Sequence, residues 1–338
     1  MKLPPLDLEA LHDIPFPVAY VPELRRKGMV SIEAMNRKLL VLWNGGDPKV
    51  YDDVCPHLGL PLSMGTSKAE GARVQCRYHG WTFSAGDGRV VEQPTLRKEL
   101  RCSLRRRGSV MAGDLVFAWM GDPDAVEHAR SLLPDPVLSG FSLFRVVFDS
   151  PFYMSLFSSV DYAHFPFHTG YKTLYKLYGA LGRNNEHQPG TAFPSKVVAE
   201  DDRRVSLRIQ NAERTIHMYA TATEMDDEGI NFFQTFVTPI SPMKTLYWEC
   251  YKPRSESRIL NAAARTTFRL VTTRLLRHED HAWTAAAAPN FVAGDNIHMC
   301  ENDAPMGAHL RKFVLPRLRR PRAVEPASEG PDLQPGVA

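Results

Sequence analysis

Residues 55–81, CPHLGLPLSMGTSKAEGARVQCRYHGW, place two cysteine–histidine pairs in two short loops. One residue separates Cys55 from His57, and two residues separate Cys76 from His79. Each loop therefore offers one thiolate and one imidazole, and both groups bind transition metals. Four such ligands in two neighbouring loops predict one shared metal centre.

Two kinds of metal centre accept these four ligands. Structural zinc sites usually space the ligands of a pair about two to four residues apart, often with two cysteines together. The Cys55-x-His57 pair is tighter than that. A Rieske [2Fe–2S] cluster takes two cysteines on one iron and two histidines on the other, and the neutral imidazoles raise its reduction potential. The pattern favours a Rieske cluster, and a zinc-binding structural protein is the alternative.

The sequence around these loops has the pattern of short β-strands separated by turns. The tetrapeptide AGDG at 85–88 is a hairpin signal, and Gly121-Asp122-Pro123 ends the run. We therefore predict an all-β domain over residues 1–122. Its predicted strands lie at 37–44, 49–54, 72–76, within 81–92 and at 114–121.

The rest of the chain predicts a second domain of a different kind, over residues 123–316. Four segments alternate between apolar and polar residues, which indicates an antiparallel sheet with one buried face. A stretch from Ser257 to His278 has helical spacing, and residues 317–338 are rich in proline and charge, which predicts a disordered tail. The fold class is therefore α+β. The four segments lie at 197–209, 214–224, 230–238 and 245–251.

The cysteine–histidine loops resemble the Rieske domain of the Rieske non-heme iron oxygenases. The shared features are CPH-LG, PLSMG and C-x-Y-H-G-W, and the resemblance extends over residues 14–122. Leu58 departs from it, because the family usually has arginine there. The resemblance implies an N-terminal Rieske [2Fe–2S] domain, with Cys55, His57, Cys76 and His79 as ligands. It also implies a helix-grip-like catalytic domain that holds one mononuclear Fe(II).

A second motif, VDYAHFPFHTG at 160–170, contains two histidines four residues apart. Alone, such a pair is more often structural than metal-binding. The family, however, holds its mononuclear iron with two histidines and a carboxylate, and the resemblance assigns two of these ligands to His164 and His168. The family usually leaves four residues between the histidines, whereas this chain leaves three, and Pro166 interrupts any helix between them. His187 is the alternative second histidine.

The third ligand has to be a carboxylate from a distant segment. The segment GDNIHMCENDAP at 294–305 resembles the late motif of the family, which favours Asp295. The acidic pair in RHEDHAW lies at the end of a predicted helix, where charged residues usually face water. The alternatives to Asp295 are Glu279, Asp280, Glu301 and Asp303.

Asp161 has a separate role in the resemblance. In the family this aspartate links a Rieske histidine of a neighbouring subunit to an iron-binding histidine, across a head-to-tail trimer. The corresponding path here runs from His79 through Asp161 to His164 and implies a homotrimer. The alternative is that Asp161 caps a helix that carries the histidines. Ser158 stands where the family often has a supporting asparagine.

Composition limits the cell compartment and the partners. Lysine plus arginine exceed aspartate plus glutamate by a net charge of +3, which gives no general attraction to nucleic acid or membrane. Five cysteines are few and odd in number, which favours a reducing compartment. No secretory signal and no membrane span are recognisable. We predict a cytoplasmic protein without nucleic-acid or membrane partners.

The resemblance implies a terminal oxygenase that passes electrons from the cluster to the mononuclear iron and consumes O2. No G-x-G-x-x-G fingerprint is present, so NAD(P)H would deliver electrons through a separate reductase, directly or through a ferredoxin. The short chain and the residues HFPFH at 164–168 are similar to those of monooxygenase members of that family. The resemblance therefore implies monooxygenation, as hydroxylation or as O- or N-demethylation. The alternative is a Rieske electron-transfer protein with a non-catalytic second domain.

Aromatic and sulfur-bearing residues of the second sheet bear on the substrate. They fit a plain hydrophobic core at least as well as the wall of a pocket for a small hydrophobic or aromatic molecule. The residues concerned are Met218, Phe232, Phe233, Phe236 and Trp248.

Overall fold

The structure is a computed structural model. It describes residues 5–319 except 69–70, 95, 97–99, 162, 165–166, 169–194, 210–214, 228–230, 254 and 295–296, and for 226–227, 231–232 and 271–277 it describes the backbone alone. Two residues with predicted metal roles, Asp295 and His187, lie outside the described residues. So do Pro166 and the last part of the predicted tail.

In its described residues the first domain contains ten strands in two antiparallel sheets. They are β1 (Phe16–Tyr20), β2 (Met29–Ala34), β3 (Arg37–Leu42), β4 (Lys49–Asp52), β5 (Thr66–Lys68), β6 (Arg73–Gln75), β7 (Thr82–Ser84), β8 (Val90–Glu92), β9 (Arg106–Ala112) and β10 (Leu115–Trp119). One sheet has the order β1-β10-β9-β4-β3-β2, and the other has the order β5-β6-β7-β8. The cysteine–histidine loops follow β4 and β6, so both sheets present them.

The predicted strands of this domain are confirmed in outline. Each predicted segment contains a strand, and 81–92 is the hairpin β7–β8. Its turn closes through hydrogen bonds from Gly88 N to Ser84 O and from Ser84 N to Arg89 O. Gly88 has a φ of +75°, a conformation that glycine adopts without steric cost.

The second domain is built on a seven-stranded antiparallel sheet. Its strands are β11 (Ser142–Phe148), β12 (Ser195–Glu200), β13 (Val205–Ile209), β14 (Thr215–Met218), β15 (Ala222–Asp227), β16 (Asn231–Ser241) and β17 (Lys244–Pro253). The order is β11-β17-β16-β15-β14-β13-β12. The predicted antiparallel sheet is confirmed, although the segment 197–209 forms a hairpin of two strands. The α+β class, with an all-β domain first, is therefore correct.

The first two helices pack against strands of the first domain, and most of the others cover the seven-stranded sheet. The helices are α1 (Val21–Lys27), α2 (Val126–Ser131), α3 (Phe152–Ser158), α4 (Arg258–Arg274), α5 (His281–Ala293), α6 (Ala304–His309) and α7 (Leu315–Leu318). The predicted helix from Ser257 is confirmed as α4. It does not end near His278, however: a π-helical turn, Leu275–Asp280, joins it directly to α5.

The two domains pack through a shared hydrophobic core. Side chains of both domains, such as Phe16 and Phe148, belong to one buried cluster. Thr221 and Thr238 donate hydrogen bonds of 2.6 Å from Oγ1 to the carbonyl oxygens at the start of β1. Within the described ranges, no helix combines the length and the apolarity that crossing a membrane requires.

The end of the described chain is folded further than the sequence predicts. Arg317, placed by the sequence at the start of a disordered tail, lies in α7 and is 7% exposed. Its guanidinium forms a bidentate ion pair with Asp13, at 2.7 and 2.8 Å. The prediction of a tail from residue 317 is therefore wrong for residues 317–318.

Candidate metal centres

The two cysteine–histidine loops have matching backbone geometry. In the first, Cys55 N donates to Leu60 O at 2.9 Å and Gly59 N donates to Cys55 O at 2.9 Å. In the second, Cys76 N donates to Trp81 O at 2.8 Å and Gly80 N donates to Cys76 O at 3.1 Å. Both glycines have a positive φ, +76° and +72°. Each loop is thus a tight turn that presents a cysteine and a histidine in the same way.

The four side chains converge at one end of the domain. The rings of His57 and His79 lie 4.6 Å apart between centroids, and Cys55 and Cys76 are 2% and 3% exposed. Burial raises the pKa of Cys55 to about 11, with Cys76 close enough to contribute. Trp81 stacks on His57 with centroids 4.5 Å apart.

A buried nitrogen of His79 bears on whether these four side chains fit an iron–sulfur cluster. Nδ1 of His79 is buried and has no hydrogen-bond partner among the residues that the structure describes. Buried ring nitrogens are normally satisfied, so this atom is suited to a metal. Two buried sulfurs and two facing imidazoles are the donors that a Rieske cluster requires. The residues therefore fit a [2Fe–2S] group.

A buried aspartate fixes the first of these loops. Asp53, two residues before Cys55, is 1% exposed. It accepts hydrogen bonds from Ser31 Oγ at 2.8 Å, from Ser63 N at 2.8 Å and from Ser63 Oγ at 2.5 Å. Both ends of the loop are therefore tied to one carboxylate. Sequence analysis missed this residue, because nothing local distinguishes it from the neighbouring Asp52.

The second centre brings together two histidines and one aspartate. Nε2 of His164 and Nε2 of His168 each lie 3.2 Å from the same oxygen, Oδ1 of Asp280. One donor atom of each residue lies within 4.8 Å of the others, a separation that one metal ion can span. The shortened spacing between the histidines therefore still allows both rings to reach one point. Both histidines lie in the segment that follows α3.

Each histidine is held from behind by another carboxylate. Nδ1 of His164 lies 3.2 Å from Oδ2 of Asp161, and Nδ1 of His168 lies 2.8 Å from Oε2 of Glu279. Trp283 stacks on His168 with centroids 4.8 Å apart. A carboxylate on Nδ1 fixes the tautomer and leaves Nε2 to the metal, as in many metal sites.

The charges of this centre are mutually stabilising. Burial lowers the pKa of His164, but Asp161 and Asp280 outweigh burial and raise that pKa to about 9. Burial raises the pKa of Asp280, and hydrogen bonds from His164 and His168 outweigh it and hold this pKa below its usual value. The centre therefore carries negative charge that attracts a cation.

The carboxylate in this cluster is Asp280, which sequence analysis ranked below Asp295. The expectation that the acidic pair in RHEDHAW faces water is wrong for Asp280, which is 5% exposed. The π-helical turn directs it inward. Asp295 lies outside the described residues and is untested. Of the two remaining candidate carboxylates, Asp303 accepts a hydrogen bond from Cys300 N at 2.8 Å, and Glu301 is exposed.

The aromatic and sulfur-bearing residues of the second sheet, and Ser158, complete the comparison with the sequence predictions. Met218, Phe236 and Trp248 are fully buried core residues rather than pocket walls. Phe233 instead faces α4, with its ring centroid 6.2 Å from that of Phe268. Ser158 donates to Ser155 O at 2.8 Å and so caps the end of α3.

Comparison with known proteins identifies the first domain. The profile of the family "Rieske [2Fe-2S] domain" matches residues 14–107. The chain is 32% identical over 156 residues to chlorophyllide a oxygenase, chloroplastic, of Arabidopsis thaliana, covering 45% of this chain and 28% of that protein. It is 29% identical over 122 residues to the terminal oxygenase component CarAa of carbazole 1,9a-dioxygenase from Sphingomonas sp., covering 35% and 32%. The chain thus spans about a third or less of these relatives.

The fold comparison extends over both domains. The terminal oxygenase of carbazole 1,9a-dioxygenase from Novosphingobium sp. KA1 superposes with a TM-score of 0.68 at 19% identity, covering 91% of this chain and 93% of that one. A carbazole-bound oxygenase in complex with its ferredoxin gives 0.67 at 17% identity. At such identities the likeness concerns the fold. The chain thus contains a Rieske [2Fe–2S] domain and shares the two-domain fold of these terminal oxygenases.

Proposed function

We propose that the protein is a terminal oxygenase with a Rieske cluster held by Cys55, His57, Cys76 and His79. In this proposal a mononuclear iron is held by His164, His168 and Asp280. Together such groups supply one-electron transfer and O2 activation. The observation that carries the proposal is the convergence of both Nε2 atoms on Asp280, with a carboxylate behind each Nδ1.

The chain's own residues have three tasks in this activity. Asp161 and Glu279 orient the imidazoles and keep Nδ1 protonated, so that Nε2 is the ligand. Asp280 supplies the negative charge that balances a dication. Two histidines and one carboxylate leave the remaining coordination positions open, as oxygen-activating iron requires.

The electron path is proposed to cross between subunits of a homotrimer. His57 and His79 are half-buried at the tip of the Rieske domain. The loops around them carry apolar side chains that are 49–63% exposed: Val54, Leu58, Met64 and Tyr78. An exposed apolar rim suits a protein contact. Asp161, which holds His164, is the proposed bridge to His79 of the neighbouring subunit.

The type of oxygenation is proposed from the second histidine motif. We favour monooxygenation of a small hydrophobic or aromatic substrate, by hydroxylation or by O- or N-demethylation. The relatives include a dioxygenase, and product analysis distinguishes the incorporation of one oxygen atom from that of two. A separate reductase, directly or through a ferredoxin, supplies electrons from NAD(P)H, and a solved relative is in complex with a ferredoxin.

Metal analysis tests the proposal. The purified protein should hold two irons in the cluster and one in the second centre, whereas an electron carrier with a non-catalytic domain would hold the cluster alone. His164→Ala and Asp280→Ala should each lose the mononuclear iron and all turnover, with an unchanged Rieske spectrum. Asp295→Ala should keep both metals. Loss of the mononuclear iron in Asp295→Ala but not in Asp280→Ala would refute the ligand set.

A second variant tests the bridge. Asp161→Asn should keep the cluster and, at saturating iron, the mononuclear iron, and it should stop electron transfer, because the amide carries no charge to link two imidazoles. The measurement is reoxidation of the reduced cluster by O2 with substrate present. Reoxidation at the wild-type rate would contradict a bridging role.

A further inference from the structure

The helix-facing side of the seven-stranded sheet contains a buried carboxylate, Glu249, in the middle of β17. Alternate residues of a strand share a face, so Tyr247, Glu249 and Tyr251 point the same way. The ring of Tyr251 stacks on Phe268 of α4, with centroids 4.5 Å apart. Glu249 therefore points into the space between the sheet and the helix.

The partners of Glu249 are hydroxyl groups. Its Oε2 accepts a hydrogen bond of 2.6 Å from Thr235 Oγ1, and the Tyr247 side chain also hydrogen-bonds to it. Among the described residues it forms no ion pair. Burial raises its pKa to about 7, although both hydroxyls oppose this. The ionised carboxylate is costly to bury in such surroundings unless a cation joins it.

The helix-facing side of the sheet extends from Glu249 to the second metal centre. The charge of Asp280 acts on Tyr247, the residue next to Glu249 on this face. Tyr247 also contacts Phe148, which lies against His281, the residue after Asp280. Glu249 follows Tyr247 by two residues and so lies about 7 Å further along the strand.

Aromatic rings continue this side of the sheet beyond Glu249. Phe233 lies 5.0 Å from Tyr251 and 6.2 Å from Phe268 between ring centroids. Phe233 and Phe268 are only half-buried, so part of this aromatic surface remains accessible. A buried carboxylate beside several aromatic faces is the chemistry that recognises an organic cation, through a charge-assisted hydrogen bond and cation–π attraction.

We propose that Glu249 determines substrate specificity by binding a protonated amine carried on an apolar, aromatic-sized body. The proposal rests on the oxygenase function proposed above and names the substrate class of that site. Thr235 and Tyr247 hold the carboxylate in place, and the aromatic rings contact the apolar body. A neutral molecule of the same shape leaves Glu249 without a counterion and binds more weakly.

Two matched probe pairs test this in the full chain with both metals bound, oxidised and without reductant. Each pair replaces a secondary ammonium by an ether oxygen: N-methylbenzylamine with benzyl methyl ether, and the two corresponding 1-naphthylmethyl compounds. Binding is measured by calorimetry near neutral pH. For at least one pair, the amine should bind at least about tenfold more tightly than the ether, a conservative figure for a buried charged hydrogen bond.

Variants show whether Glu249 causes the preference for the amine. Glu249→Gln should remove most of this preference, because it lowers the affinity for the amine and leaves the affinity for the ether nearly unchanged. Glu249→Asp, which keeps the charge, should retain part of it. Glu200→Gln, an exposed change on β12, is the matched control and should retain all of it. The wild-type comparison stands even if Glu249→Gln folds poorly.

Equal affinity within both pairs, absence of binding included, overturns the proposal, as does an unchanged preference in Glu249→Gln. Failure of the oxygenase function would show differently. It would appear as a missing mononuclear iron or as no substrate-stimulated O2 uptake, while the preference for the amine persisted.

Discussion

The histidines of the second centre depend on the groups behind them as much as on their own spacing. His164 and His168 both reach one oxygen of Asp280, at 3.2 Å. The carboxylates at Nδ1 orient the two rings, at 3.2 Å for Asp161 and 2.8 Å for Glu279. With both rings oriented in this way, the three-residue spacing still brings them to one point.

The role of Glu279 can be isolated by Glu279→Gln. The amide can still lie near His168, but it no longer carries the charge that makes Nε2 more basic. We expect affinity for the mononuclear iron to fall about 10- to 100-fold, with the Rieske spectrum unchanged. The measurement is competition with a chelator. Glu256→Gln, an exposed change before α4, is the control, and equal affinities in the two variants would contradict the assignment.

Glu249 also predicts a pH dependence of folding. Its pKa is about 7 in the folded protein against a usual value of 4.5. The folded state therefore favours the protonated form, and its contribution is complete below the unfolded pKa. It is lost as pH rises through the folded pKa, and the loss is on the order of 3 kcal/mol.

Urea denaturation at about pH 5 and about pH 8 measures this effect. The free energy of unfolding of the wild type should fall more between these values than that of Glu249→Gln, which cannot ionise. Glu200→Gln should behave as the wild type does. An identical pH dependence in Glu249→Gln would show that Glu249 titrates normally.

Among the elements, those defined by local chemistry could be predicted from sequence. The hairpin at 81–92 was predictable because AGDG supplies the turn, and the loops after β4 and β6 were predictable from their ligands. Strand β9 (Arg106–Ala112) was missed, since its arginines and glycine interrupt the alternation that marks a strand. The inward position of Asp280 was missed because a π-helical turn changes the rotation per residue, and apolar periodicity does not reveal it.

The first cysteine–histidine loop should lose its structure when the buried Asp53 is removed. Asp53→Ala leaves Ser31, Ser63 N and Ser63 Oγ without their acceptor, and buried unsatisfied donors cost about 1–3 kcal/mol each. We expect loss of the cluster's visible absorption, with the second centre still binding iron. Asp47→Ala, at an exposed position, is the control. A full cluster in Asp53→Ala would show that the cysteines alone hold the loop.

At the scale of the whole molecule, the two domains behave as one packing unit. They share a hydrophobic core. The turn after β2 also donates hydrogen bonds from Met35 N and Asn36 N to the carbonyl oxygens of Pro239 and Ile240, at 2.7 and 2.8 Å. We infer that this packing fixes the Rieske loops relative to the second centre of the same chain, which the proposed trimer requires.

The ion pair between Arg317 and Asp13 joins α7 to the first domain. The two side chains are 8% and 17% exposed. Burial raises the pKa of Asp13, but hydrogen bonds from Arg317 outweigh it and lower that pKa. Arg317→Ala leaves Asp13 without its main partner, and breaking a buried pair costs about 3 kcal/mol at the lower end of the usual range.

Denaturant unfolding of Arg317→Ala tests whether α7 secures both domains. Cluster absorption follows the first domain, and tryptophan fluorescence follows the whole chain. Both signals should shift together to lower denaturant, because the pair joins α7 to the first domain across the shared core. Arg319→Ala, an exposed change in the next turn, should leave both midpoints in place. A shift in fluorescence alone would mean that α7 stabilises only the second domain and that the domains unfold independently.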